Sequence, residues 1–244
     1  MAPGPRAHGH VARRGAAVHR RDGGGGYGAF DASNDWPLYL QKGSQNYWFT
    51  WDAARGLLYI KYNLCSDGTP SFASMVRDVF AIADAQTVQR FVVDLRNNPG
   101  GNSQVVQPLI DALRQRPALR GRLYAIVNRR TISSGLLAAL DLQSLGAILA
   151  GEPTGGKPNS YGDQRSFQLP NSRLTVFHST KYFDLVPGDP PALAPDLPVS
   201  MTSTDFFARR DPVLDAILGV VARAAVTVPA RRRASVPPSP RVCP

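Results

Sequence analysis

The fold is decided by the stretch RFVVDLRNNPGG, residues 90–101. Its first half is a short apolar run, which predicts a buried β-strand over residues 90–95. Its second half is a turn sequence whose two glycines leave their backbone amides uncovered by side chains. A buried strand that runs into such a turn is typical of a layered α/β protein, and the turn places backbone donors at the strand end.

Strand and helix patterns alternate on both sides of this stretch. Strands are predicted at residues 46–51, 57–63, 123–127 and 147–150, with a turn at 53–56 between the first two. Helices are predicted from Phe72 with Ser71 as its N-cap, over 103–115 with Pro108 near its start or kinking it, over 133–142 and over 211–218. A hairpin is predicted from strands 164–169 and 174–179. This alternation predicts an α/β fold with a layered sheet and β-α-β units.

Composition and charge divide the chain into a core and two tails. The chain has 244 residues, 43% of them hydrophobic, which is enough for one domain with a real core. The net charge of +10 comes mostly from the ends, because residues 1–30 carry five arginines against Asp22 and residues 223–244 carry five arginines and no acid. We therefore expect disordered basic tails at 1–30 and 223–244 around a folded domain at 31–222. Solvated tails are favoured over nucleic-acid arms, so no specific nucleic-acid partner is predicted, although weak contact with polyanions through the tails stays open.

Cysteine usage and hydropathy bear on the cellular compartment. Cys65 follows an apolar strand pattern and is expected to be a small core residue, and Cys243 belongs to the tail, so no disulfide framework is predicted. No stretch reaches the roughly 18 to 20 apolar residues that a membrane span needs. The N-terminus lacks the apolar region of a secretory signal. These features predict a cytoplasmic location, or export if the natural start lies upstream.

The segment TISSG, residues 131–135, offers a nucleophile at the start of a predicted helix. Ser133 follows a strand and a short connection, and unpaired amides at a helix N-terminus, such as that of Ser134, could stabilise an oxyanion. Ser134 is an alternative nucleophile. The competing interpretation is that Thr131, Ser133 or Ser134 only caps the helix.

The segment GEPTGGK, residues 151–157, offers one lysine in a glycine-rich turn. Lys157 could act as a general base if close packing buries it and disfavours its charged form. The alternatives are a surface loop lysine and a phosphate-binding loop, although the spacing does not fit a Walker pattern.

The turn at residues 97–101 has two interpretations. It could be an oxyanion loop in which the Gly100 or Gly101 amide points at a substrate carbonyl, with the Asp94–Arg96 pair fixing its shape. It could equally be an ordinary turn.

The positions of the histidines and of possible metal ligands limit which catalytic mechanisms the sequence predicts. His178 is the only histidine outside the N-terminal tail, so a Ser-His-Asp triad would have to use it as an alternative base. A plain strand histidine is the competing interpretation. No cluster has metal-ligand spacing, so neither a metal nor a cofactor is predicted.

The three motifs at residues 92–102, 131–133 and 151–157, in this order, resemble those of the tail-specific (C-terminal processing) protease family of serine peptidases. The resemblance covers about residues 40–220. It implies a crotonase/Clp-protease-like fold of β-β-α units and a serine-type peptidase that hydrolyses peptide bonds in a polypeptide substrate. By position it implies Ser133 as nucleophile, Lys157 as general base, and the Ser134 amide with Gly100 or Gly101 as oxyanion hole.

The chain also departs from that family. Leu136 stands where many members carry a glutamate, and no PDZ-like peptide-binding module is evident ahead of residue 40. These departures motivate an alternative, a catalytically inactive peptide-binding or interaction protein on the same fold. A crotonase-like acyl-CoA enzyme is a third interpretation. The sequence leaves the cleavage preference and the oligomeric state open.

Overall fold

A six-stranded sheet in the order β1-β2-β3-β4-β5-β8 forms the centre of the protein. The structure, a computed structural model, describes residues 36–219, so the predicted tails and Cys243 lie outside the described residues. The strands of this sheet are β1 (Tyr47–Asp52), β2 (Leu57–Tyr62), β3 (Arg90–Asp94), β4 (Leu123–Val127), β5 (Ile148–Gly151) and β8 (Leu197–Pro198). The helices are α1 (Phe72–Ala85), α2 (Gln107–Arg114), α3 (Ser134–Ser144), α4 (Ser203–Phe207) and α5 (Pro212–Gly219).

The sheet is parallel except at one edge. β1 runs antiparallel to β2, and β2, β3, β4, β5 and β8 run parallel to one another. Every residue of β2, β3 and β4 is buried, as expected for parallel strands that are covered on both faces. The predicted turn between the first two strands is confirmed and uses Gly56 at φ 57°.

Two apolar layers cover the sheet. The side chains of β2 alternate, so Leu58 and Ile60 contact the layer of α1, α2 and α3, whereas Leu57 contacts the layer that contains α5. The predicted N-cap of α1 is confirmed, because the Ser71 hydroxyl accepts a hydrogen bond from the Ser74 amide at 3.2 Å. The predicted α/β fold with a layered sheet is therefore confirmed.

Several elements differ from the sequence prediction. The helix predicted over residues 103–115 is a 3-10 turn (Ser103–Val106) followed by α2, with Pro108 in the first turn, where its missing N–H costs nothing. The predicted hairpin is longer and consists of β6 (Ser160–Gln168) and β7 (Thr175–Phe183), a separate two-stranded sheet. β8 and α4 were not predicted, because elements of two and five residues are too short to show a period.

Two further points concern Cys65 and the hydropathy of the helices. Cys65 is a buried core residue with 1% exposure, as expected. None of the helices within residues 36–219 is long and apolar enough to cross a membrane.

Candidate active site

Ser133 lies at the carboxyl end of β4, directly before the first residue of α3. Its backbone has φ 52° and ψ −130°, a conformation that costs a non-glycine residue about 1–3 kcal/mol and persists where the surroundings hold it. The residue is exposed, and its side chain makes no capping hydrogen bond to the helix. Ser133 therefore does not act as a side-chain cap.

The neighbouring hydroxyl groups are engaged elsewhere. Thr131 is buried and donates through Oγ1 to the Leu95 carbonyl at 2.9 Å. Ser134 is also buried and donates through Oγ to the Gly101 carbonyl at 2.6 Å. Among the described residues, no hydrogen bond engages the Ser133 hydroxyl. Of the two candidate nucleophiles, Ser133 is thus the one with an accessible, uncommitted oxygen.

The glycine turn after β3 packs directly against Ser133. A Cβ atom added at Gly100, which has φ 101°, would lie 2.6 Å from the Ser133 Cβ and 2.9 Å from the Ser134 amide nitrogen. The Gly100 amide itself donates to Asn98 Oδ1 at 2.9 Å. Within residues 36–219 the amides of Gly101 and Ser134 donate no hydrogen bond, so these two remain available to a ligand.

Asn98 connects the glycine turn to its surroundings, and sequence reasoning missed this role. It is fully buried, and its Nδ2 donates to the Tyr62 carbonyl on β2 at 2.8 Å. Its own carbonyl accepts from the Ile132 amide at 3.1 Å, which ties the glycine turn to the Ser133 loop. The signal was present in the motif, but asparagine is so common in turns that its side chain suggests no specific partner.

Gly101 is held against Cys65. The Cys65 amide donates to the Gly100 carbonyl at 3.0 Å, and the Cys65 carbonyl accepts from the Asn102 amide at 2.7 Å. A Cβ atom at Gly101 would lie 2.3 Å from the Cys65 carbonyl oxygen. Only glycine fits this close approach of two backbones.

A buried network of charged side chains surrounds the end of β3, just before the glycine turn. Arg96 donates from Nη1 and Nη2 to the two carboxylate oxygens of Asp211, each at 2.8 Å, and from Nε to Asp94 at 2.9 Å. Lys61 donates to the Arg96 carbonyl at 2.6 Å. Burial alone would raise the pKa of Asp94, but the charges of Arg96 and Lys61 hold it well below its usual range. The Asp94–Arg96 pair is thus joined to β2 and to the start of α5.

Lys157 lies on a turn that touches the Ser133 loop. A Cβ atom at Gly155 would lie 1.9 Å from the Arg129 carbonyl oxygen, and one at Gly156 would lie 3.3 Å from the Ile132 Cα. The Lys157 side chain is nevertheless 41% exposed, and its Nζ lies 2.6 Å from Asp189 Oδ2. The structure therefore brings the lysine turn and the serine loop together but does not bury the lysine, and among the described residues no hydrogen bond joins Lys157 to Ser133.

Two buried side chains fasten the loop that carries Asp189. Asn159 donates to the carbonyls of Val186 and Gly188 at 2.8 and 2.6 Å, and its Oδ1 accepts from the amides of Leu185 and Val186 at 2.8 and 3.0 Å. On the other side, Thr154 Oγ1 accepts from the Leu193 amide at 2.9 Å. Hydrogen bonds of Asn159 and Thr154 therefore hold the chain on both sides of Asp189.

Two other residues singled out in the sequence are not part of the Ser133 site: His178 lies on the hairpin, and Leu136 is a packing residue. His178 is exposed on β7, opposite Arg165, and its ring contacts that of Phe167 at 5.9 Å between centroids. Leu136 is buried, and its Cδ1 would lie 3.3 Å from a Cβ atom at Gly156. Leu136 thus packs α3 against the lysine turn, at the position where the family glutamate would stand.

A groove of about 360 Å³ opens at the same edge of the sheet as Ser133. It begins at the segment that follows β4 and extends to α4, where Phe207 is 81% exposed. Arg129 and Glu152 line it and form an ion pair at 3.4 Å. The lining includes Asn128, Arg129, Glu152, Met201, Phe206 and Phe207.

Several solved structures share this architecture, and two of them are described as a peptidase and a protease. One, from Parabacteroides merdae ATCC 43184, is described as a peptidase; it is 16% identical, with a TM-score of 0.55 over 80% of this chain and 70% of that chain. Another, from Bacteroides fragilis NCTC 9343, is described as a protease; it is 16% identical, with a TM-score of 0.51 over 74% of this chain and 58% of that chain. The fold is the fold of these peptidases. A photosystem II C-terminal processing protease is also similar, at 18% identity and a TM-score of 0.46, with 64% of this chain and 48% of that chain covered.

Sequence comparison alone identifies no relative. No protein-family model matches the chain, and no curated protein matches it. At identities of 16%, the structural likeness confirms the fold that the resemblance implied. The chain spans only 58% of the length of the Bacteroides fragilis protein.

Proposed function

We propose that this protein is a serine-type peptidase in which Ser133 is the nucleophile and Lys157 the general base. The observation that carries the proposal is the geometry of Ser133. It is an exposed hydroxyl on a strained residue at a strand–helix junction. The Ser134 amide comes next in the chain, the Gly101 amide belongs to the glycine turn that packs against Ser133, and neither donates a hydrogen bond within residues 36–219. Within residues 36–219 the Ser133 hydroxyl neither caps its helix nor bonds to another group, so it is free to attack a substrate.

The proposed reaction is acyl transfer from a peptide to Ser133. The Ser133 oxygen attacks the scissile carbonyl carbon as its proton passes to Lys157. The oxyanion that forms accepts hydrogen bonds from the amides of Gly101 and Ser134, and such donors commonly contribute about 10²–10³ in rate each. The intermediate collapses when Lys157 returns the proton to the leaving amine. Water then hydrolyses the acyl-enzyme by the same steps.

Lys157 must exchange partners for this reaction. A lysine acts as a base only when it is uncharged, and a carboxylate partner favours the charged form. The ion pair with Asp189 is exposed, at 41% for the lysine and 65% for the aspartate, and such pairs contribute only about 0.2–1 kcal/mol. We propose that a peptide bound at Ser133 displaces Asp189 and excludes water, so that the lysine turns toward Ser133. The packing of Gly156 against Ile132 supports the short distance this requires.

The substrate is proposed to be a polypeptide. Two structural neighbours are described as a peptidase and a protease, and the groove beside Asn128 is open and partly apolar, as a site for an extended chain requires. Arg129 and Glu152 at the groove supply one charge of each sign for side chains or termini of the substrate.

The decisive experiment is hydrolysis of an unfolded protein substrate by the full chain and by single variants. We expect Ser133→Ala and Lys157→Ala to lose activity by about 10³-fold or more. Lys157→Arg keeps the positive charge and can pair with Asp189 but cannot deprotonate, so it should be as inactive as Lys157→Ala. The matched control is Ser134→Ala, which keeps the backbone amide and should retain most of the activity.

Two results would overturn the proposal. Turnover that survives Ser133→Ala would exclude Ser133 as the nucleophile, and an active Lys157→Arg would exclude a base role for the lysine. Peptide binding without turnover in the wild type, unchanged in both variants, would support the inactive interaction protein. The exposure of Lys157 and the apolar Leu136 are the observations that favour this second function.

A further inference from the structure

The hairpin of β6 and β7 stands apart from the main sheet and has one strongly apolar face. Directly paired residues share a face, so the pairs Tyr161–Tyr182 and Phe167–Val176 lie on one side and Ser166–Phe177 on the other. We call the first side the aromatic face. It is defined by Tyr161, Asp163, Arg165 and Phe167 of β6, by Val176, His178, Thr180 and Tyr182 of β7, and by Leu169 and Leu174 just beyond the strand ends.

Contacts on this face confirm which side chains share it. The rings of Tyr161 and Tyr182 lie 4.9 Å apart, and Thr180 Oγ1 lies 3.3 Å from Asp163 Oδ2. The ring of His178 contacts Phe167 across the strands.

The aromatic face is exposed to a degree unusual for apolar groups. Tyr161 is 74% exposed, Leu174 64%, Phe167 51% and Tyr182 50%. An isolated two-stranded hairpin is only marginally stable in water, and exposed apolar side chains gathered on one face mark interaction sites. With about 150–250 Å² for each buried aromatic side chain, the face could bury about 500 Å² per copy, or about 1,000 Å² in a pair, the lower bound for a specific interface.

The order of residues along β6 makes the face complementary to itself. From base to tip it reads Tyr161, Asp163, Arg165, Phe167, which is aromatic, acidic, basic, aromatic. Consider a two-fold axis that lies between two such faces and crosses the strands at the level of Gln164. This axis places Asp163 against Arg165 of the other copy, and Tyr161 against its Phe167.

Charge supports this arrangement over its alternative. Among residues 36–219, neither Asp163 nor Arg165 forms an ion pair within the chain. An axis parallel to the strands would instead set Asp163 against Thr180 and Arg165 against His178, so neither charge would meet an opposite one. We propose that the aromatic face binds the same face of a second copy of this chain, in an antiparallel two-fold dimer with two intermolecular Asp163–Arg165 pairs.

The test is the mass of the full chain in solution, measured by sedimentation over a wide range of concentrations. We expect a reversible transition from the 26.4 kDa chain to twice that mass. Asp163→Lys and Arg165→Asp each create two like-charge contacts and should each weaken the dimer by about tenfold or more. The double variant Asp163→Lys/Arg165→Asp restores opposite charges and should recover the dimer.

Two matched controls lie on the opposite face of the hairpin. Phe177 is 65% exposed, so Phe177→Ser removes as much exposed aromatic surface as Phe167→Ser. Lys181→Asp makes the same change of charge as Arg165→Asp. We expect both controls to dimerise normally and Phe167→Ser to lose the dimer, while circular dichroism verifies that every variant is folded.

The outcomes separate clearly. Recovery in the double variant supports the two-fold arrangement, since a general loss of folding would be worse in the double than in the singles. A chain that stays monomeric at every concentration overturns the proposal, as does a dimer that Phe177→Ser disrupts and Phe167→Ser does not. Assembly beyond the dimer would also contradict it, because a closed two-fold contact uses the face completely.

Discussion

At the scale of single residues, the candidate site depends on backbone conformations that particular side chains allow. Ser133 has φ 52° although it is not glycine, and Gly100 at φ 101° lies against it. Each conformation costs free energy that neighbouring contacts must offset. The carbonyl of Asn98, which binds the Ile132 amide, is one such contact. The strain is thus local, and a single methyl group should be enough to disturb it.

We predict that Gly100→Ala impairs both folding and hydrolysis. The added Cβ would lie 2.6 Å from the Ser133 Cβ, and the residue would keep a positive φ, so the free energy of unfolding should fall by about 1–3 kcal/mol. Hydrolysis by the folded fraction should fall more steeply, because Ser133 must shift. Urea unfolding and substrate cleavage measure the two effects. The control is Gly43→Ala, whose Cβ meets nothing within 4 Å and should stay within about 0.5 kcal/mol of the wild type.

At the scale of secondary-structure elements, the start of α5 is bonded to the end of β3, just before the glycine turn. Asp211 precedes this helix, accepts from the Leu214 amide at 3.1 Å and binds Arg96 through both oxygens. We predict that Asp211→Ala lowers the free energy of unfolding by about 3–5 kcal/mol, because it removes a cap and leaves a buried guanidinium short of a partner. Urea unfolding tests this. Asp215→Ala, at an exposed position of the same helix, should change it by less than about 1 kcal/mol. Equal losses in the two variants would contradict the role assigned to Asp211.

At the scale of the whole molecule, the buried ionic network should make stability depend on pH. The pKa of Asp94 lies below its usual range because of Arg96 and Lys61, so its charged form stabilises the folded state above the unfolded pKa of about 4. This stabilisation is lost as the pH falls through that value toward the folded pKa. We predict that the melting temperature decreases steadily below about pH 5. Asp94→Asn should flatten much of this dependence, whereas Asp84→Asn, whose carboxylate pairs with Arg116 on the surface, should leave most of it. A melting curve independent of pH in this range would show that Asp94 is not paired as described.

The sequence by itself determined the features that depend only on residues close together along the chain. The apolar run before Asp94, the cap at Ser71 and the turn at Gly56 follow from period, hydroxyl chemistry and positive φ, and each lies where predicted. The predicted strand at 123–127 and the predicted helix at 133–142 also placed Ser133 at a strand–helix junction. These are local properties, so one chain read in order is enough to find them.

Only the tertiary structure decided which groups meet. The sequence left open whether Lys157 is buried or lies on a surface loop; in the structure it is exposed and pairs with Asp189, on a loop that Asn159 and Thr154 hold through contacts 26 to 39 residues apart in sequence. Arg96 reaches Asp211 across 115 residues. The exposed aromatic face exists because β6 and β7 leave the main sheet. Local pattern carries no information about such pairings, since they depend on how helices and strands pack and on which side chains that packing removes from water.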